Sequence, residues 1–156
     1  MKKRSVRFLS SLLLLCMVSS LFCAFAAAAD DTSDTSAGGS RSSLYLDDYM
    51  AAVTPVANGK LVISVDISAR RNCTQLGSDD IYLYESTDGV HFTLVRHYEY
   101  QDYPDMMGSG LDYCDDPVTY KGTVGRYYFA SVHIYAGDSS GYDCRTYNTS
   151  PVQAHN

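Results

Sequence analysis

The 156-residue sequence has no tryptophan, no acid before Asp30 and few basic residues after its first segment. It also has no C-x-x-C or H-x-x-x-H pair, which removes the usual zinc spacings. No glycine-rich loop follows a strand into a helix, so no phosphate cradle is expected. Nor does any stretch beyond the first 30 residues hold a convincing helical period, which turns the reading toward strands. No histidine is placed by pattern to activate a cysteine, and paired acids such as Asp115-Asp116 point apart on a strand. The chain is therefore read as non-catalytic.

What the first segment does contain is Lys2, Lys3, Arg4 and Arg7, an apolar run from Phe8 to Phe25, and the small residues Ala26 to Ala29. Basic start, apolar middle and A-x-A end are the three parts of a secretory signal, with cleavage expected before Asp30. The apolar run is broken by serines, is short for a span and ends in acids, which disfavours a retained anchor. Phe22 before Cys23 is too large for a lipoprotein signal. The product is expected to be secreted and extracellular.

Removing residues 1–29 takes four of 12 basic residues and none of 18 acids, leaving 8 against 18, a net charge of −10. Such a charge opposes binding to nucleic acid or to an anionic membrane. Residues 30–43 are polar and cannot bury enough surface to offset ordering, so they read as a flexible leader to a domain over 44–154.

That domain punctuates itself into short runs separated by turn residues. Leu61, Ile63, Val65 and Ile67 alternate with polar neighbours, as do Tyr128, Ala130, Val132 and Ile134 with Phe129, Ser131 and His133. Strands are expected over 49–56, 61–68, 81–85, 91–98, 118–120, 127–135 and 143–154, with Asn58-Gly59 and Asp88-Gly89 as turns. Seven antiparallel strands in about 110 residues match the size and rhythm of an all-β immunoglobulin-like sandwich.

Gly125-Arg126-Tyr127-Tyr128 resembles the glycine-to-tyrosine approach to strand F of a fibronectin type III domain, where a tyrosine closes the corner between sheets. Thr149-Ser150-Pro151-Val152 resembles the end of strand G. The tryptophan usual on strand B is missing, so the resemblance is one of architecture. The chain also resembles small exported proteins of Gram-positive bacteria that have no assigned role. The Ser86-to-Phe92 hairpin is similar to turns of secreted sandwich modules and misses the sialidase Asp-box by one residue.

The topology implied by that resemblance sends eleven of the 18 acids to one end of the sandwich. Calcium takes six to eight oxygens, and Asp79, Asp80, Asp112, Asp115 and Asp116 are the candidate ligands; the alternative is that they are solvated loop acids. No other cofactor is expected. Cys73, Cys114 and Cys144 gather at the same end, with Cys73–Cys114 the expected disulfide and Cys73–Cys144 the alternative.

Tyr98, Tyr100, Tyr103 and Tyr113 crowd the strand and long loop around residues 101–110. Rings beside carboxylates suit an extracellular glycan or protein surface, and such long loops tend to carry function. The expectation is a binding or adhesion module. The alternative is a structural protein that assembles through a sheet edge or the odd cysteine.

Overall fold

The computed structural model describes residues 43–156. The export signal expected at 1–29 and nearly all of the leader at 30–43 lie outside the described residues, as do Cys16 and Cys23. The described residues form seven strands: β1 Leu46–Val56, β2 Lys60–Ser86, β3 Thr93–Glu99, β4 Met107–Lys121, β5 Tyr127–Asp138, β6 Gly141–Asn148 and β7 Val152–Gln153. All pairings are antiparallel, and the strands bond into one curled sheet. Among the described residues there are only single 3₁₀ turns, so no helix is long and apolar enough to cross a membrane.

β2 organises everything else. It runs for 27 residues, which at about 3.3 Å per residue would reach roughly 90 Å if straight. A domain of this size has a radius of gyration of roughly 13 Å, so the strand has to bend. It does so where its register shifts, between Ser68 and Cys73, Cys73 and Leu76, and Ser78 and Asp80. Before the bends, residues 60–69 lie between β1 and β4. After them, residues 80–86 lie between β3 and β5. At the hand-over, Leu76 and Gly77 pair with both β4 and β5. β5 carries β6 and then β7 on its other edge.

Period-two alternation then builds one core from both halves. Leu61, Ile63, Val65 and Ile67 are buried before the bends, and Ile81 and Leu83 after them. Tyr128, Ala130, Val132, Ile134 and Ala136 are buried along β5, with Ile81 opposite Val132 and Leu83 opposite Ala130. Ala51, Val53 and Val118 join the same cluster. Each large aliphatic side chain withdrawn this way contributes about 1.5–3 kcal/mol.

The turns take the residues their geometry demands. Asn58 and Gly59 have φ of 63° and 72°, and the second tolerates this because it has no Cβ. In the β2–β3 connection the Asp88 carboxylate accepts the N–H groups of Val90 and His91 at 2.9 and 2.8 Å. The His91 side chain, bonded at 2.7 Å, and these amides hold that carboxyl well below its usual range.

Three elements differ from the sequence reading. The strands expected at 61–68 and 81–85 are one, because residues 69–76 contain no turn pair and the chain stays extended through its bulges. The short strand expected at 118–120 begins at Met107, recruited by pairing with β2, so the expected long loop shortens to residues 100–106. Asp112, Asp115 and Asp116 are thereby strand residues and not loop acids. The last strand is split where Thr149 leaves the β6 line, its N–H donating to the Ala130 carbonyl and its hydroxyl accepting the Ala130 N–H.

Candidate functional site

The alternation that buries one side of β5 leaves Phe129, Ser131, His133 and Tyr135 on the other. Register brings Tyr84 of β2 opposite Phe129, Tyr82 opposite Ser131 and Asp80 opposite His133. On its far edge β2 sets Tyr82 opposite His97 and Asp80 opposite Glu99. β6 adds Cys144 opposite Tyr135 and Thr146 opposite His133. The outward face of β3, the second half of β2, β5 and β6 thus collects rings, imidazoles and carboxylates.

The rings are paired. Tyr84 and Phe129 stack with centroids 4.8 Å apart and planes 6° from parallel, and Phe92 meets Phe129 edge-on at 4.8 Å. Tyr82 stacks on His97 at 4.2 Å and 6°, with His133 tilted beside it at 5.4 Å. Tyr135 stacks on Tyr142 at 5.4 Å. Direct cross-strand partners are the side chains that touch in a sheet, so register alone produces Tyr84–Phe129 and Tyr82–His97. Such pairs contribute about 0.5–1.5 kcal/mol beyond their buried area. All of these rings except the exposed Tyr142 are half-buried.

Asp80 sits at the centre of this face. His97 Nε2 lies 2.6 Å from its Oδ1, and His133 Nδ1 stands 3.9 Å from its Oδ2. Glu99 Oε1 lies 3.4 Å from the other nitrogen of His97. The adjacent Asp79 has a buried Oδ1 without a hydrogen-bond partner among the described residues, and burial pushes its carboxyl above the usual value, with the neighbouring Asp80 charge adding to the shift.

The tyrosines singled out from the sequence sit elsewhere. Tyr98 is 4% exposed, opposite the core residue Ile81, and Tyr113 is 8% exposed with its hydroxyl donating to the Asp105 carbonyl at 2.6 Å. Tyr100 and Tyr103 pack against the same core, and Tyr103 takes a hydrogen bond from Arg96 at 2.7 Å. These four rings brace the core beneath β3 and β4, and two of them are out of a ligand's reach. A one-residue change of parity on β3 separates the buried Tyr98 from the outward His97.

The acids divide as well. Asp79 and Asp80 belong to the half of β2 beside β3 and β5, whereas Asp112 lies on β4 and accepts the Ser68 hydroxyl at 2.9 Å. Asp115 and Asp116 border a groove with Met50, Ser64 and Cys114 on the other half of the sheet. The five do not converge on one ion. Among the described residues, the donor sets whose atoms lie within 4.8 Å of one another are Asp79–Asp80–His133 and Asp80–His97–Glu99. Asp138 and Asp143 are tied down separately, by the Tyr45 hydroxyl at 2.8 Å and the Tyr45 N–H at 2.7 Å.

The expected disulfide is not formed: Cys73, Cys114 and Cys144 are free thiols. Cys73 lies opposite Gly110 and is buried, its thiol donating to the Arg71 carbonyl at 3.3 Å. Cys114 lies opposite Asp66, further along β2, and is exposed. The alternative partner, Cys144, is exposed opposite Tyr135 on the outward face. Although β2 and β4 are neighbours, register sets Cys73 and Cys114 well apart along the ladder, and Cys144 lies on β6, beyond β5.

What the sequence reading missed is the partnership of Tyr82 and Tyr84 with Phe129 and His97. The signal was the Tyr-x-Tyr spacing at 82 and 84 and the Phe129–Ser131–His133–Tyr135 row, both of which mark an outward stripe. Set against known protein families, curated proteins and solved structures, the chain matches none of them.

Proposed function

We propose that this chain is an exported, non-catalytic binding protein that takes an extracellular glycan on the outward face of β3, β2, β5 and β6. The frame we propose is an immunoglobulin-like, fibronectin type III-like sandwich. Two features support that frame. The pairings group as β1, first half of β2, β4 on one side and β3, second half of β2, β5, β6 on the other. Tyr128, at the start of β5, has its hydroxyl bonded to the backbone N–H of Thr123 at 2.8 Å, as a tyrosine corner requires.

The observation that carries the function is the row of partly exposed rings interleaved with Ser131, Thr146 and carboxylates on one sheet face. Aromatic rings stack on the apolar faces of sugars, and carboxylates accept their hydroxyl protons. The negative charge favours neutral or cationic sugars over sulfated or phosphorylated ones. A glycan array probed with the purified protein is expected to show a neutral or amino-sugar ligand. Tyr84→Ala and Phe129→Ala should each weaken it about tenfold, near 1.4 kcal/mol, with the fold retained by circular dichroism. A ligand untouched by both substitutions, or no bound glycan at all, would remove the reading.

A second reading, assembly through a sheet edge, is favoured by β6. Among the described strands it pairs with β5 alone and carries the exposed Cys144. Non-reducing electrophoresis separates the two: the binding reading expects a monomer. A covalent dimer that disappears in Cys144→Ser would favour assembly.

A further inference from the structure

We propose that Asp79, Asp80 and His133 form a binding site for a divalent transition-metal ion of the zinc class, with His97 as the residue that orients Asp80. The inference goes beyond glycan binding and does not rest on it. Three observations converge on these residues.

The first is placement. Asp80 and His133 are direct partners across β2 and β5, and Asp79 precedes Asp80 at the register shift between Ser78 and Asp80. A bulge of this kind re-aims side chains, and it brings two consecutive aspartates to the same neighbourhood where an unbroken strand would send them to opposite faces. One donor atom from each of Asp79, Asp80 and His133 then lies within 4.8 Å of the others.

The second is distance. His133 Nδ1 and Asp80 Oδ2 are 3.9 Å apart, beyond hydrogen-bond range. Two ligands on a tetrahedral ion with bonds of 2.0–2.1 Å sit about 3.4 Å from each other, so a small rotation of either side chain satisfies an ion between them. The other oxygen, Asp80 Oδ1, is held at 2.6 Å by His97 Nε2, and Tyr82 stacked at 4.2 Å fixes that imidazole. A metal-binding carboxylate oriented by a hydrogen bond to its second oxygen is the usual supporting arrangement of metal sites.

The third is independent of the other two. Asp79 Oδ1 is buried and has no hydrogen-bond partner among the described residues. A buried carboxylate oxygen without a partner is costly, and an adjacent cation removes that cost. Nearby Glu99, 3.4 Å from His97, adds further negative potential.

Ligand chemistry selects the ion. Calcium prefers six to eight oxygens, whereas imidazole nitrogen with two carboxylates suits zinc, copper or nickel. The calcium expectation for Asp79 and Asp80 thereby becomes one for a softer ion, with Asp112, Asp115 and Asp116 outside the site.

The test is isothermal titration of the chelator-treated, purified protein with ZnCl₂ and, separately, CaCl₂, no sugar being present. One zinc per chain is expected, with a rise in melting temperature. Co²⁺ bound in its place should give visible ligand-field bands. His133→Gln and Asp80→Asn should abolish binding, His97→Ala should weaken it about tenfold, and Asp112→Asn should leave it unchanged. Should Asp80→Asn fail to fold, His133→Gln, which alters a half-exposed side chain, keeps the decision open to measurement. No zinc binding, zinc binding unaltered by His133→Gln, or calcium bound more tightly than zinc would each overturn the proposal.

Discussion

Replacing Tyr128 by alanine is expected to lower the unfolding free energy by about 3–5 kcal/mol, a large part of the roughly 5–15 kcal/mol typical of a folded domain. The ring is 0% exposed and fills the space beneath the β4–β5 connection, where the Tyr120 ring lies 6.0 Å away. A Cβ placed on Gly122 would come 2.8 Å from the Tyr128 Cζ, so the turn is already packed against the phenol and cannot close over a smaller residue. The hydroxyl adds a separate quantity. It donates to the Glu85 carboxylate, which also receives Arg126, and accepts the Thr123 N–H at 2.8 Å. Tyr128→Phe keeps the ring and leaves those two groups short of a partner, at a cost of about 1–3 kcal/mol. Urea denaturation of both variants gives the two figures. Equal losses for Phe and Ala would mean that the hydroxyl network dominates; a loss under about 1 kcal/mol for Ala would contradict the packing.

Gly77→Ala is expected to cost about 1–3 kcal/mol or more, although it adds only a methyl group. Gly77 has an ordinary backbone conformation, so strain in φ is not the cause. An added Cβ would lie 2.2 Å from the Met106 carbonyl oxygen and 2.8 Å from the Met107 Cα. Both are backbone atoms, which cannot swing aside as a side-chain tip can. The same position pairs with Met107 and Tyr135, so displacing it disturbs two ladders at once. Gly141→Ala is the control, because its added Cβ meets nothing closer than the Tyr45 hydroxyl at 3.4 Å, and it should change stability by less than about 0.5 kcal/mol. Melting curves that fall together for the two variants would show that β4 does not approach β2 as closely as described.

Local pattern was readable from the residues themselves. Alternation at Leu61, Ile63, Val65 and Ile67, and again from Tyr128 to Ile134, marked inward faces that are buried in the fold. Asn58-Gly59 marked a turn that the positive φ angles bear out. Pairing was not readable. Residues 69–76 carry no alternation, so nothing local shows that β2 continues through them; bulges are fixed by the partners on either edge. Met107 to Pro117 holds two glycines and four acids or thiols, a loop-like composition that becomes strand only because β2 supplies its hydrogen bonds.

The candidate site was partly legible for the same reason. Asp79 and Asp80 could be picked out as acids, but their nearness to His133 spans more than 50 positions and depends on register. Parity decided the tyrosines: Tyr82 and Tyr84 face outward while Tyr98 turns in, and one residue of slip would have exchanged them. The cysteines failed on the same point, since neighbouring strands say nothing of which thiols share a side.

Because one strand carries hydrogen bonds in both halves, opening of one half is expected to weaken the other. Loss of the ladder from Lys60 to Lys121 drags on the ladder from Ser86 to Tyr127 through an unbroken backbone. Assembly meets the mirror-image constraint: both ladders close only after distant parts of the chain have met, which places this protein among slow, all-or-none folders on the millisecond-to-second scale.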